Sequence, residues 1–143
     1  NDQFLIIEME KKEIYTIQLT DKNELSTFYH IQYGLGWDPF NKCHELIEAT
    51  DTNGCFFGKV NGEIVSSISA MKYDKFGFIG VYWVKEEHRG KGYGVQIFKK
   101  AMEYLSDCEI IGLDSVPPQI SNYEKSGFQQ YCNAIKAYAI SAP

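Results

Sequence analysis

No Cys-x-x-Cys pair occurs in the chain, and no two of its four cysteines stand close enough for a metal knuckle. Both a dithiol redox centre and a cysteine-built metal site are thereby excluded. Cys43, Cys55, Cys108 and Cys132 are expected to be reduced, buried thiols. No apolar run reaches the length of a transmembrane helix, and the opening Asn1-Asp2-Gln3-Phe4-Leu5-Ile6-Ile7 lacks the basic flank of a signal peptide. A cytoplasmic protein without membrane contact is the expectation. Positive charge is the minority sign, with 14 Lys and Arg against 19 Asp and Glu and a net charge of −5. General nucleic-acid binding, which needs phosphates neutralised over a wide surface, is disfavoured. There is no internal repeat and no low-complexity linker.

What is present suits one domain with a real core. The 143 residues are 44% apolar and 23% charged, which are globular proportions. Glu13–Leu19 alternates as a strand. Asp21, with Glu24 three residues on, opens a helix that carries Leu25, Phe28 and Tyr29 and stops at Gly34. Asp38-Pro39 reads as the cap and first residue of a second helix. Gly54–Val60 and Glu63–Met71 flank Asn61-Gly62, a strong hairpin signal. Lys72–Lys75 connects to the strand Phe76–Val84. That strand is apolar on both faces, with Phe76, Phe78, Tyr82 and Val84 expected on one and Ile79, Val81 and Trp83 on the other. Lys91–Ser106 is the clearest helix, its buried stripe running through Gly94, Ile97, Phe98, Ala101, Met102 and Leu105. Glu109–Asp114 reads as a strand and Pro117-Pro118 as a helix start. Phe128–Cys132 and Ala134–Ile140 are read as the last strands.

Between the strand Phe76–Val84 and the helix lies Arg89-Gly90-Lys91-Gly92-Tyr93-Gly94. A helix start leaves amides without partners and carries the positive end of the dipole. Glycines let an anion approach those amides, and Lys85, His88, Arg89 and Lys91 add positive charge, partly offset by Glu86 and Glu87. The spacing departs from a dinucleotide fingerprint, since Val95 stands where the third glycine belongs. A Walker loop is excluded because Gly92, not Ser or Thr, follows Lys91. A glycine turn that merely starts a helix is the plainer alternative.

These residues resemble the GNAT superfamily of N-acetyltransferases. Arg89, Gly92 and Gly94 match its Arg/Gln-x-x-Gly-x-Gly/Ala signature, and Tyr123-Glu124-Lys125-Ser126-Gly127-Phe128 resembles its Tyr-Glu-Lys-x-Gly-Phe segment. The resemblance implies an α/β fold with a mixed, largely antiparallel sheet. Six to seven strands and about four helices are expected, with the fourth and fifth strands splayed apart. It implies a single domain over 1–143, compatible with a domain cut from a longer protein.

The activity implied is acetyl transfer from acetyl-CoA to a primary amine of a small molecule or peptide. Arg89, Gly90, Lys91, Gly92, Tyr93, Gly94 and Val95 would bind the pyrophosphate, and backbone groups of Trp83 and Val84 the pantetheine arm. Tyr123 would protonate the leaving thiolate. The strand Phe76–Val84 has no acid, so Asp114 is the candidate base, with helix capping as its plainer role. Tyr33, Trp37 and Tyr82 are the candidate acceptor residues, and no metal is expected. Val116 stands where many members have an Asn that contacts the cofactor. That departure and the missing strand acid keep a non-catalytic CoA-binding or sensor domain as the alternative. The protein is expected to be a monomer or homodimer.

Overall fold

The computed structural model describes residues 13–37, 39 and 41–134. The elements run β1 (Tyr15–Leu19), α1 (Ser26–Gly34), α2 (Cys43–Thr50), β2 (Cys55–Val60), β3 (Glu63–Tyr73), β4 (Phe76–Val84), α3 (Tyr93–Tyr104), β5 (Ile110–Leu113) and α4 (Ile120–Glu124). Three short 3₁₀ turns lie at Lys22–Glu24, Glu86–His88 and Pro117–Gln119. Asn61 and Gly62 both take positive φ, 51° and 85°, which is the turn that matches the twist of a tight hairpin. The five strands form one sheet in chain order. β1 to β4 pair antiparallel, and β5 runs parallel to β4 after the α3 crossover. The fold is α/β with a mixed, largely antiparallel sheet, as expected.

Two apolar layers cover the sheet. Successive β2 residues point to opposite sides, so Phe56 enters the layer under α3 with Ile68, Ile97, Ala101 and Leu105. Phe57 joins Leu25, Phe28 and Met71 under α1, its ring 4.7 Å from that of Phe28. The stripe of α3 falls as expected, with Ile97 and Ala101 buried and Leu105 buried at its C-cap, and Tyr93 extends it to the first turn.

Four expectations need correction. α2 starts at Cys43 behind Lys42, not at Pro39, and Asp38, the proposed cap, lies outside the described residues. Phe128–Cys132 is not a strand. Phe128 packs onto the α3 layer and its amide donates to Tyr123 O at 3.2 Å, while Tyr131 is 99% exposed; one anchored residue makes no ladder. Ala134 carries no strand either, and the rest of that proposed strand lies outside the described residues. The described sheet has five strands, therefore, rather than six to seven.

The fourth correction concerns β4. Ile79 and Tyr82 lie together on the α3 side, whereas Val81 faces α1. Strict alternation would have put Ile79 and Val81 on one face. The register explains the difference. Ser67 faces Trp83 and Ser69 faces Gly80, so Ile68 alone stands opposite both Val81 and Tyr82. β4 carries a bulge there, and one extra residue reverses the phase of every side chain beyond it.

Close backbone approach is concentrated at Gly54. A Cβ there would lie 1.8 Å from the Ala70 carbonyl oxygen, whereas one at Gly34 would meet nothing within 4 Å. Gly54→Ala is expected to lower unfolding free energy by about 3 kcal/mol, at the upper end of overpacking costs. Gly34→Ala should leave it unchanged or slightly raised. Urea denaturation of the pair measures the difference.

Candidate functional site

The bulge is held by a buried hydroxyl. Val81 sits at φ 46°, a conformation that costs a β-branched residue on the order of 1–3 kcal/mol. The fully buried Ser67 donates to the Val81 carbonyl at 2.7 Å. Pairing of β4 with β5 ends where the bulge approaches, at Ile79 opposite Leu113. Beyond it, Gly80 to Val84 have no β5 partner. The fourth and fifth strands are thus splayed.

A cleft of about 890 Å³ opens in the gap. Its walls include Ile79, Tyr82 and Leu113 from the α3 layer and Ile47, Met71 and Val81 from the α1 layer. Only a break in the sheet lets one cavity reach both faces. Trp37, Asp114 and Tyr123 also line it.

The glycine loop leads from β4 into α3. Gly90 and Gly92 have φ of 75° and 82°, and Gly92 is the N-cap residue of α3 with no side chain to cap it. The Gln96 amide closes the first turn on Gly92 O at 3.2 Å. Among the described residues, the amides of Gly90 through Val95 donate to no backbone acceptor. They are available to an anion. Gly94 has a different reason to be glycine, because a Cβ there would lie 2.7 Å from the Tyr82 hydroxyl oxygen. It lets α3 sit down on β4.

The loop's charge is less free than the sequence implies. Lys91 pairs with Glu13 at 2.7 Å, which raises the lysine pKa and lowers that of the carboxyl, the direct hydrogen bond being the largest cause in each case. The Tyr93 hydroxyl donates to the same carboxylate at 3.2 Å, and its ring stacks on Tyr15 at 4.1 Å. The Tyr93 side chain is therefore turned inward. Lys85 is held by Glu63 and Glu87. Arg89 has no acidic partner among the described residues; its Nε donates to Val84 O at 3.1 Å. Lys85 N–H donates to Val65 O, so by strand alternation the polar groups of Val84 face the open edge. Trp83 is registered with Ser67 on the other side.

Tyr123 lines the cleft, its ring 6.4 Å from that of Tyr82. Burial raises its pKa, so the phenol is protonated at neutral pH. Tyr82 is pushed up to about 12, by burial first and then by Tyr123 and Tyr15. Its hydroxyl meets the first turn of α3, so its ring, not its polar end, borders the cleft. Asp114 caps nothing: Val116 precedes the 3₁₀ turn, with no side-chain cap. Asp114 lines the cleft instead. Tyr33 does not. It stands in the last turn of α1, is 68% exposed, and lies against Tyr29 at 6.0 Å.

The sequence reading missed Ser67, which holds the bulge, and the cleft residues Gln32, Met71, Leu113, Ser115 and Gln119. A signal existed for the first: Ser66, Ser67 and Ser69 interrupt an otherwise apolar strand, and all three are buried. Among the described residues, no group of three His, Cys, Asp or Glu side chains could hold a metal. None of the described helices is long and apolar enough to cross a membrane.

The sequence profile of the Acetyltransferase (GNAT) family matches residues 11–128. A holothin acyltransferase from Pseudoalteromonas sp. (strain SANK 73390) is 40% identical over 79 residues, covering 54% of this chain and 26% of the relative. The chain thus spans about a quarter of that relative's length. Among solved structures, a predicted acetyltransferase from Clostridium acetobutylicum, with acetyl-CoA, superposes with a TM-score of 0.70 at 14% identity, covering 87% of this chain and 96% of the other. Glucosamine-6-phosphate N-acetyltransferase from Arabidopsis thaliana superposes with a TM-score of 0.66 at 19% identity, covering 88% and 99%. At those identities the likeness is one of fold.

Removing the Ser67 hydroxyl strands the Val81 carbonyl in the interior. Ser67→Ala is expected to cost about 1–3 kcal/mol of stability. It should also shift the amide resonances of Val81 and Tyr82 more than those of β1, read from a heteronuclear NMR spectrum.

Proposed function

Because the chain belongs to the acetyltransferase (GNAT) family, we propose that it transfers an acetyl group from acetyl-CoA to the primary amine of a small molecule or peptide. The observation that carries this reading is the continuity of three features. The open β4 edge beyond Ile79 and the protonated Tyr123 border one cleft, and that edge runs on along the chain into the loop whose amides, Gly90 to Val95, are unbonded.

Acetyl-CoA would supply the thioester and the thiol leaving group. The amides of Gly90–Val95, with the Arg89 cation beside them, suit a pyrophosphate. Backbone groups of Val84 are the candidates for the pantetheine arm, whereas those of Trp83 are turned toward β3. Lys91 contributes once its pair with Glu13 opens. Tyr123 holds a proton for the departing sulfur, and Asp114 accepts one from the incoming ammonium, directly or through water. Trp37 and the ring of Tyr82 border the acceptor. The Tyr33 side chain, pointing away, has no part in it.

CoA should raise the melting temperature by mass action, and Gly92→Val, which forces a β-branched residue to positive φ, should abolish the shift. Thiol release from acetyl-CoA across an amine panel tests the chemistry. If CoA stabilises the protein but no amine raises release above background, the domain binds CoA without catalysis. Tyr123→Phe is expected to lower kcat about 10²-fold or more with CoA affinity unchanged. Since burial raises the Tyr123 pKa, the alkaline fall in kcat should lie above about pH 10, the ordinary tyrosine value. A fall centred near neutrality would assign the acid elsewhere.

A further inference from the structure

We infer that the acceptor half of the cleft takes a cationic amine carried on an apolar body, an arylalkyl- or alkylamine in class, in preference to a polyhydroxylated or acidic amine. This rests on the transferase reading and adds the acceptor to it. The cleft has two unlike sides. Tyr82 and Tyr123 stand on the α3 and α4 side. The opposite side is walled by Trp37, Leu46, Ile47, Met71 and Phe78. Two of these gain little from folding where they stand, because Leu46 is 58% exposed and Trp37 42% exposed. Large apolar surface facing a water-filled cleft is stabilised when an apolar ligand covers it.

Charge selects the other end of the ligand. Asp114 is the one charged side chain among the described residues that line the cleft. Among the described residues it has no ion-pair or hydrogen-bond partner that would compete for its oxygens. It lies just past Leu113, where pairing with β4 ends, so the carboxylate stands at the gap that Tyr123 borders. An ammonium reaching that point gains a charge-assisted hydrogen bond. A carboxylate or phosphate on the ligand would meet like charge instead. Sugar hydroxyls placed against Leu46, Ile47, Met71 and Phe78 would give up water for few protein partners, since the amide nitrogen of Gln32, the polar side chain that α1 adds there, already donates to Phe28 O, and that costs affinity.

The test is calorimetric titration of the CoA-saturated protein with phenethylamine, glucosamine and phenylpropionate. Phenethylamine is expected to bind at least about tenfold tighter than either of the others, the ratio that burying one ring against aliphatic walls supplies. Leu46→Gln, a change at an exposed position, should weaken phenethylamine several-fold and leave CoA binding unchanged. Asp114→Asn should narrow the gap between the amine and the acid. Equal binding of glucosamine or phenylpropionate overturns the inference, as does phenethylamine affinity untouched by Leu46→Gln. Adding acetyl-CoA separates the two levels. Phenethylamine that binds while no amine of the panel is acetylated removes the transferase reading and leaves the pocket assignment standing. Acetylation confined to glucosamine does the reverse.

Discussion

The hydroxyl of Ser67 meets the carbonyl of Val81 at 2.7 Å in the interior of the sheet, and the geometry of the cleft follows from what that bond holds in place. An extra residue in β4 puts a β-branched side chain into the left-handed region and leaves a carbonyl outside the regular ladder. Either alone is costly in a buried strand. With the carbonyl satisfied, the bulge persists, and its consequences reach both layers. Tyr82 turns to the α3 side and Val81 to the α1 side. β5 stops pairing at Ile79, and the gap becomes a cavity open to both faces. The same reversal brings Tyr82 against Gly94, so the strand's defect and the helix's missing Cβ fit each other.

The helix start shows how an acidic chain can still present an anion site. Its net charge of −5 is not overcome by a basic patch, because Lys85 and Lys91 are each held by carboxylates. What remains is carried by backbone: the amides of Gly90 to Val95, with Arg89 alongside. Such donors do not titrate, and they need no side-chain ordering when a ligand arrives. The Lys91–Glu13 pair and the Tyr93–Tyr15 stack also tie the loop to the approach of β1, so the cradle is anchored from the far side of the sheet.

Much of the fold was legible because its signals are local. Phe76–Val84, the Asn61-Gly62 hairpin and the stripe of α3 follow from periodicity and turn chemistry over short windows. The resemblance carried by Arg89, Gly92, Gly94 and Tyr123 pointed to the right family and to the splay. Signals that depend on a partner were misread. Phe128–Cys132 alternates like a strand, but no described neighbour pairs with it. Tyr33 carries an aromatic ring at the right distance along the chain, and its place on the last turn of α1 turns that ring outward. Asp38-Pro39 has the chemistry of a helix start, yet α2 begins at Cys43.

By itself the sequence determined the order of the elements from β1 to α4, the apolar face of α3, and the glycines that let a helix start meet an anion. Those properties are written in each segment's own spacing. The phase of β4 beyond its bulge was decided only by tertiary structure, because a bulge is a mismatch between two strands and neither strand contains it alone. The same holds for the meeting of Asp114 and Tyr123 in one cleft and for the apolar wall opposite them. Their chain positions are far from the α1 and α2 residues they face, and only the opened sheet lets them share a cavity.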